Sequence, residues 1–144
     1  MSKKNLHLDF EYDYDFELIA IVSSYRDYRV CWHINKALGT GLAQVREDVK
    51  LERPGKLQSA IFFNLFSYED EINRTKYYLV SNKSSGDYLV PEMKEVDFFL
   101  QIAGDNSLMG NTQMIDTLKG IDIIEAVFAT DPMTLRSKQN LVFE

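Results

Sequence analysis

Leu18-Ile19-Ala20-Ile21-Val22 is a run of apolar residues with no polar face. Such a segment has to be covered on both sides, which predicts a strand inside a sheet with material packed above and below it. The residues before it behave differently. Leu6, Leu8, Phe10, Tyr12, Tyr14, Phe16 and Leu18 alternate with His7, Asp9, Glu11, Asp13, Asp15 and Glu17. That period of two predicts one long strand, or two divided by a bend. The row of carboxylates invites a metal reading. Same-face neighbours on a strand stand roughly 6.5–7 Å apart, however, and a hard cation needs several oxygens at one point. The row reads as a solvated face that discourages edge pairing, with a cation or basic-partner site as the alternative.

Further strands follow the same logic. Gln58 to Tyr68, with Ile61, Phe62, Phe63, Leu65 and Phe66, is apolar on both faces and predicts a central strand. Glu69 to Arg74 is a polar turn, and Thr75 to Ser81 returns to complete a hairpin. Asn82 to Asp87 is a second turn. Val45 to Glu52 suggests a short or edge strand, and Ile123 to Thr130 a further one. Several antiparallel strands in succession predict a meander. Met114, Ile115 and Leu118 form an apolar stripe for a helix that Gly120 ends, and Asp131-Pro132 suits the N-cap and first position of a short last helix. The polar stretch 137–144 is expected to be loose, with Leu141, Val142 and Phe143 able to dock. The fold class that results is α+β. We expect one domain over 1–144, a mainly antiparallel sheet with helices packed on one face in two layers.

One helix carries more information than the rest. Ser24 with Asp27 makes a capping box, and Gly39 is a C′ stop. Between them Val30, Cys31, Ile34, Ala37 and Leu38 share one face, and Arg26, Arg29, His33 and Lys36 the opposite one. Tyr28, Trp32 and Asn35 fall on the border, where they can line a cleft with Arg29 nearby to meet an anion. The plainer alternative is an aromatic pair at the core edge with Asn35 bonding a loop. Cys31, on the apolar stripe, reads as a small buried hydrophobe, and His33 as exposed.

The most specific stretch is Val90-Pro91-Glu92-Met93-Lys94-Glu95-Val96-Asp97-Phe98. Pro91 fixes φ and removes a donor, and Val90 before it is pushed to extended geometry, so a strand turns a rigid corner here. From Val96 the chain reads as a strand with Val96, Phe98, Leu100 and Ile102 on one face and Asp97, Phe99, Gln101 and Ala103 on the other. Asp97 is then a charge in apolar surroundings and needs a partner. It suits a cap on the backbone of the Pro91–Glu95 corner, with Glu92 in solvent. The functional alternative is a Glu92/Asp97 carboxylate pair at a pocket rim, dividing acid and base roles.

Pro91, Glu92, Val96 and Asp97 in this spacing resemble the motif of the IPExxxVDY proteins, a bacterial family. Val90 stands for that family's Ile and Phe98 for its Tyr, so a role for the Tyr hydroxyl has no counterpart here. Chain length and the segment Asp27-Tyr28-Arg29 with Trp32 and Asn35 also look like the family. The resemblance implies a fold shared over the whole chain and supplies no activity. Separately, Val96 to Thr130 is similar in pattern to half of a ferredoxin-like or ACT-type domain. That likeness implies ligand contact near a dimer interface by Gly104, Asp105 and Asn106, which also suit a plain turn.

Composition narrows the function classes. A net charge of −6 over 144 residues argues against nucleic acid and against a polybasic membrane contact. No apolar run approaches the about 20 residues of a spanning helix, and the first residues do not resemble a signal peptide. Cys31 is the only cysteine, which excludes a disulfide framework and a cysteine-based zinc site. Gly39-Thr40-Gly41 is too short for a phosphate loop. We therefore expect a cytoplasmic, non-catalytic module binding a small molecule or a protein partner, with homodimer formation and without cofactor or metal. Pro91, Glu92, Asp97, Arg29, Trp32 and Asn35 are its candidate binding residues. The alternatives are an enzyme using Glu92 and Asp97, or a structural partner docking through the acidic N-terminal strand.

Overall fold

The structure is a computed structural model that describes residues 14–46, 48–52, 60–104 and 111–143. Strand β1 (Glu17–Val22) carries the apolar run, and Ile19, Ala20 and Ile21 are 0% exposed. It lies between β9 (Phe98–Gly104) and β10 (Ala126–Thr130), antiparallel to both, with Ile19 opposite Leu100 on one side and Ala129 on the other. The remaining elements are helix α1 (Asp27–Leu38), β2 (Ala43–Gln44), β3 (Val49–Glu52), β4 (Ala60–Phe63), β5 (Leu65–Asp70), β6 (Thr75–Ser81), β7 (Lys83–Ser84), β8 (Asp87–Tyr88) and helix α2 (Asn111–Lys119). Six strands form one antiparallel sheet in the order β10-β1-β9-β6-β5-β2. Helix α2 connects β9 to β10, which run parallel on either side of β1 as a split βαβ unit, whereas α1 leads from β1 into β2 and the strands before β6. The strand, helix, strand order expected for 96–130 is present as β9, α2 and β10.

Alternation sorts the sheet into two faces. Ile19, Ile21, Leu79, Phe98, Leu100 and Ile102 pack against Val30, Cys31 and Ile34 of α1 and Leu118 of α2. Both helices lie on this face, as the α+β reading expects. On the other face Leu18, Ala20, Val80 and Phe99 meet Ile61 and Phe63 of β4, then Leu89, Val90, Leu135 and Leu141. That side is therefore covered by the β3–β4 hairpin, the corner after β8 and the last segment. Each large side chain fully buried here contributes about 1.5–3 kcal/mol relative to exposure.

Several local expectations change. Gln58–Tyr68 is not one strand: the chain bends at Asn64, β4 pairs with β3, and β5 joins the main sheet. The periodicity does not betray the bend, because Ile61, Phe63 and Leu65 keep the same face on both sides of it. Val96 lies with Phe99 instead of Phe98, since a turn closed by Val96 N–H on Met93 O precedes β9. No Ser24–Asp27 capping box forms. Arg26 occupies the N-cap without a side-chain bond, and Asp27 accepts from Tyr28 N–H and Asn64 Nδ2. Ala37 is exposed. β10 begins at Ala126, while Ile123 and Ile124 are buried in a turn. Gly39 does end α1 at φ 71°, and Asp131 does cap the single turn Pro132–Thr134 by accepting from Met133 N–H. The tail docks instead of lying loose: Leu141 is 0% exposed and its carbonyl accepts from Gln101 Nε2 at 2.7 Å. Of the strand expected from Leu6 to Leu18, residues 6–13 lie outside the described residues and β1 begins at Glu17, after a bend at Phe16; the Asp105-Asn106 loop also lies outside them.

Candidate functional site

The corner at Val90–Asp97 is a turn of 3-10 helix, Pro91–Met93, with a trans Val90–Pro91 bond. A residue outside the motif holds it. Asn82 is 0% exposed at the end of β6, and its side chain spans the corner. Nδ2 donates to Met93 O at 2.9 Å and Val96 O at 2.8 Å, and Oδ1 accepts from Val90 N–H at 2.7 Å. Its backbone adds bonds to Leu89 N–H and Asp97 O. One amide therefore satisfies polar groups that the buried corner would otherwise leave unpaired.

The two carboxylates of the motif are engaged separately. Glu92 is exposed and accepts from the N–H and Oγ of Ser137, both at 2.8 Å, tying the corner to the last segment. Partial burial pushes its pKa up, but the Ser137 bonds outweigh this and hold it below the ordinary glutamate range. Asp97 does cap a backbone N–H, but that of Ser23 at the end of β1 (2.8 Å), not one of the corner. Its other oxygen meets Lys83 Nζ at 2.7 Å. The residues expected to form a rim pair thus fasten β1, β7, β9 and the last segment to one another. Pro91 is exposed and shapes the turn.

On α1 the expected trio separates. Asn35 turns inward and brackets the next loop: Nδ2 donates to Leu42 O at 3.0 Å, and Oδ1 accepts from Leu42 N–H and Thr40 Oγ1, both at 2.8 Å. This is the loop-bonding alternative. Tyr28 and Trp32, in contrast, are not at a core edge; they are 59% and 57% exposed. Tyr25, just before the helix, is 45% exposed. Arg29 sits over the Tyr25 ring at 5.4 Å and Lys36 over the Trp32 ring at 4.9 Å, while His33 meets Trp32 edge-on at 4.9 Å. The two cation–ring contacts, 25/29 and 32/36, follow i, i+4 spacing, which puts residues on one helical face. Lys36 is on the outer face the sequence assigns it, while Tyr25 is an addition to this face that the 25/29 spacing spells out. Cys31, on the buried side, has its thiol pushed up to about 11, first by burial and then by Asp27, with Asn35 opposing. Burial and the raised pKa both disfavour the thiolate at neutral pH.

A cavity of about 700 Å³ lies at the far pole, where β1 begins and β10 ends. Asp15, Glu17 and Asp131 stand on its rim with Tyr14, Phe16 and Met133. Among the described residues no group of three or more His, Cys, Asp or Glu side chains is placed to hold a metal ion. None of the described helices is long and apolar enough to cross a membrane. Comparison with protein-family models, with curated proteins and with solved structures finds no match to this chain.

Proposed function

We propose that the protein is a non-catalytic binding module whose outer α1 face docks an acidic segment of a partner protein. The observation that carries this is the exposure of Tyr25, Tyr28 and Trp32 together on one face. Large aromatics exposed singly are ordinary, but a contiguous group rimmed by polar residues marks an interaction surface. Trp, Tyr and Arg are also the residues that dominate binding energy at protein interfaces. The charge selects the partner. Arg26, Arg29 and Lys36 are exposed around these rings, and among the described residues no carboxylate pairs with them. In a chain of net charge −6 this is a local reversal of sign. An acidic segment with apolar side chains satisfies both the cations and the rings, and electrostatic steering speeds its arrival.

Trp32 is the only tryptophan and reports on the face directly. The test titrates the protein with a peptide of alternating glutamate and leucine, and with its lysine counterpart, while following Trp32 emission. The acidic peptide is expected to shift the emission, with an affinity that falls with salt and is lost in Arg29→Glu. An equal response to both peptides, or none to either, refutes the reading.

A further inference from the structure

We infer that the protein forms a two-fold homodimer in which β10 pairs antiparallel with β10 of a second copy. The inference rests on the sheet edge and is independent of the α1 face. β10 is the outermost strand, and among the described residues nothing pairs with its free side. The opposite edge, β2, has only two residues. A strand left at an edge presents unpaired N–H and C=O groups, and proteins that stay monomeric blunt such edges with charge or proline inside the strand. Here Ala126-Val127-Phe128-Ala129-Thr130 contains neither. The charges and the proline stand just outside it, at Glu125 and at Asp131-Pro132. They limit the length of pairing without forbidding it.

The same residues set the register and select the partner. Centred on Phe128, antiparallel pairing places Phe128 against its own copy, Val127 against Ala129, and Ala126 against Thr130. A two-fold axis perpendicular to the sheet maps each face onto itself, so pairing must be centred on a residue. This centre is the one that aligns the whole uncharged segment with itself. Phe128 lies opposite Ala20 on the face away from the helices, yet it is 37% exposed, because the segments covering that face do not reach it. Across the axis two such rings form an aromatic cross-strand pair and shield each other. A segment without charge in a chain of net −6 is complementary to itself, which favours a second copy over a charged partner. Helix α2 packs over β10, so the two α2 helices come to flank the axis on the other face. The interface is isologous and closes at two subunits.

The experiment is sedimentation velocity of the full chain over a micromolar concentration series, with Phe128→Lys and Phe128→Cys variants. The wild type is expected to pass from monomer to dimer. Phe128→Lys loses the ring pair and sets two like charges face to face, weakening the dimer about tenfold or more. Its circular dichroism spectrum and melting temperature should stay near wild type, because the side chain is on the surface. Phe128→Cys should cross-link two copies on mild oxidation, as directly opposed Cβ atoms are about 4.5–5.5 Å apart. Phe62→Cys, also exposed but on β4, should not. A wild type that remains monomeric throughout, a dimer untouched by Phe128→Lys, or equal cross-linking at positions 62 and 128 overturns the inference.

Discussion

Replacing Asn82 with alanine tests whether one amide holds the Val90–Asp97 corner. The side chain is fully buried and makes three hydrogen bonds, to Val90 N–H, Met93 O and Val96 O. The Met93 bond is only partly buried, so water can replace it. The Val90 and Val96 bonds are buried, and each group left without a partner costs about 1–3 kcal/mol. The expected loss is about 4 kcal/mol, a large share of the about 5–15 kcal/mol that holds a domain together. With a urea slope of about 2 kcal/mol/M, the unfolding midpoint should fall by about 2 M without a change in slope. Asn82→Asp should be at least as damaging, since it keeps the acceptor, removes both donors and buries a charge. Equilibrium urea unfolding followed by circular dichroism gives the answer. A loss below about 1 kcal/mol in Asn82→Ala would refute the reasoning, by showing that water entering the space serves the corner as well as the amide does.

Three further outcomes follow from the geometry. Gly104→Ala should abolish folding or lower the melting temperature sharply, because Gly104 sits at φ +123° and an added Cβ would lie 2.1 Å from Arg74 O; near-wild-type melting would contradict this close approach of β9 to the chain entering β6. Cys31 should resist iodoacetamide in the native state at neutral pH and react fully in denaturant. Because its folded pKa is raised, the folded state holds the proton longer, so stability should be intact below about pH 9 and decline as pH rises toward about 11. Replacing it with serine should leave stability flatter across that window. Glu92 has the opposite sign: its lowered pKa means that its contribution is present above the ordinary value of 4.5 and disappears as pH falls below it. Protection of the Ser137 amide, measured against its intrinsic exchange rate at each pH, should therefore fall in acid, and Glu92→Gln should show low protection already at neutral pH.

Local features of the chain were legible in its residues. The apolar run of β1, the buried stripe Val30, Cys31 and Ile34, the stop at Gly39 and the cap at Asp131 all depend on neighbours a few residues away. What stayed hidden depends on distant partners. Nothing near Asn82 announces that its amide serves residues up to Val96, and it sits among ordinary turn formers. The apolar surroundings of Asp97 imply a backbone donor, but that donor is Ser23, 74 positions earlier. Glu92 is exposed as its sequence context implies, yet its partner Ser137 is 45 positions later. The bend at Asn64 leaves alternation intact and changes only which strand is paired, a choice that periodicity does not encode. Trp32 fell on the border of the helical projection. Whether a border residue is covered depends on what packs beside the helix, and nothing among the described residues covers this one.

The place of β1 in the sheet has a consequence for how the chain acquires its structure. Ile19 finds its neighbours at Leu100 and Ala129, so this interior strand is made long before either flanking strand exists. Helix α1 follows directly and can shelter one side of the growing polypeptide. The other side stays bare, along with both hydrogen-bonding edges, until β9 arrives. A short uncharged stretch of this kind is prone to intermolecular cross-β association. Pairings so remote in sequence also close slowly. Synthesis at elevated temperature, or in cells short of chaperone capacity, should therefore send this protein into inclusion bodies through the segment that is most secure once folding is complete.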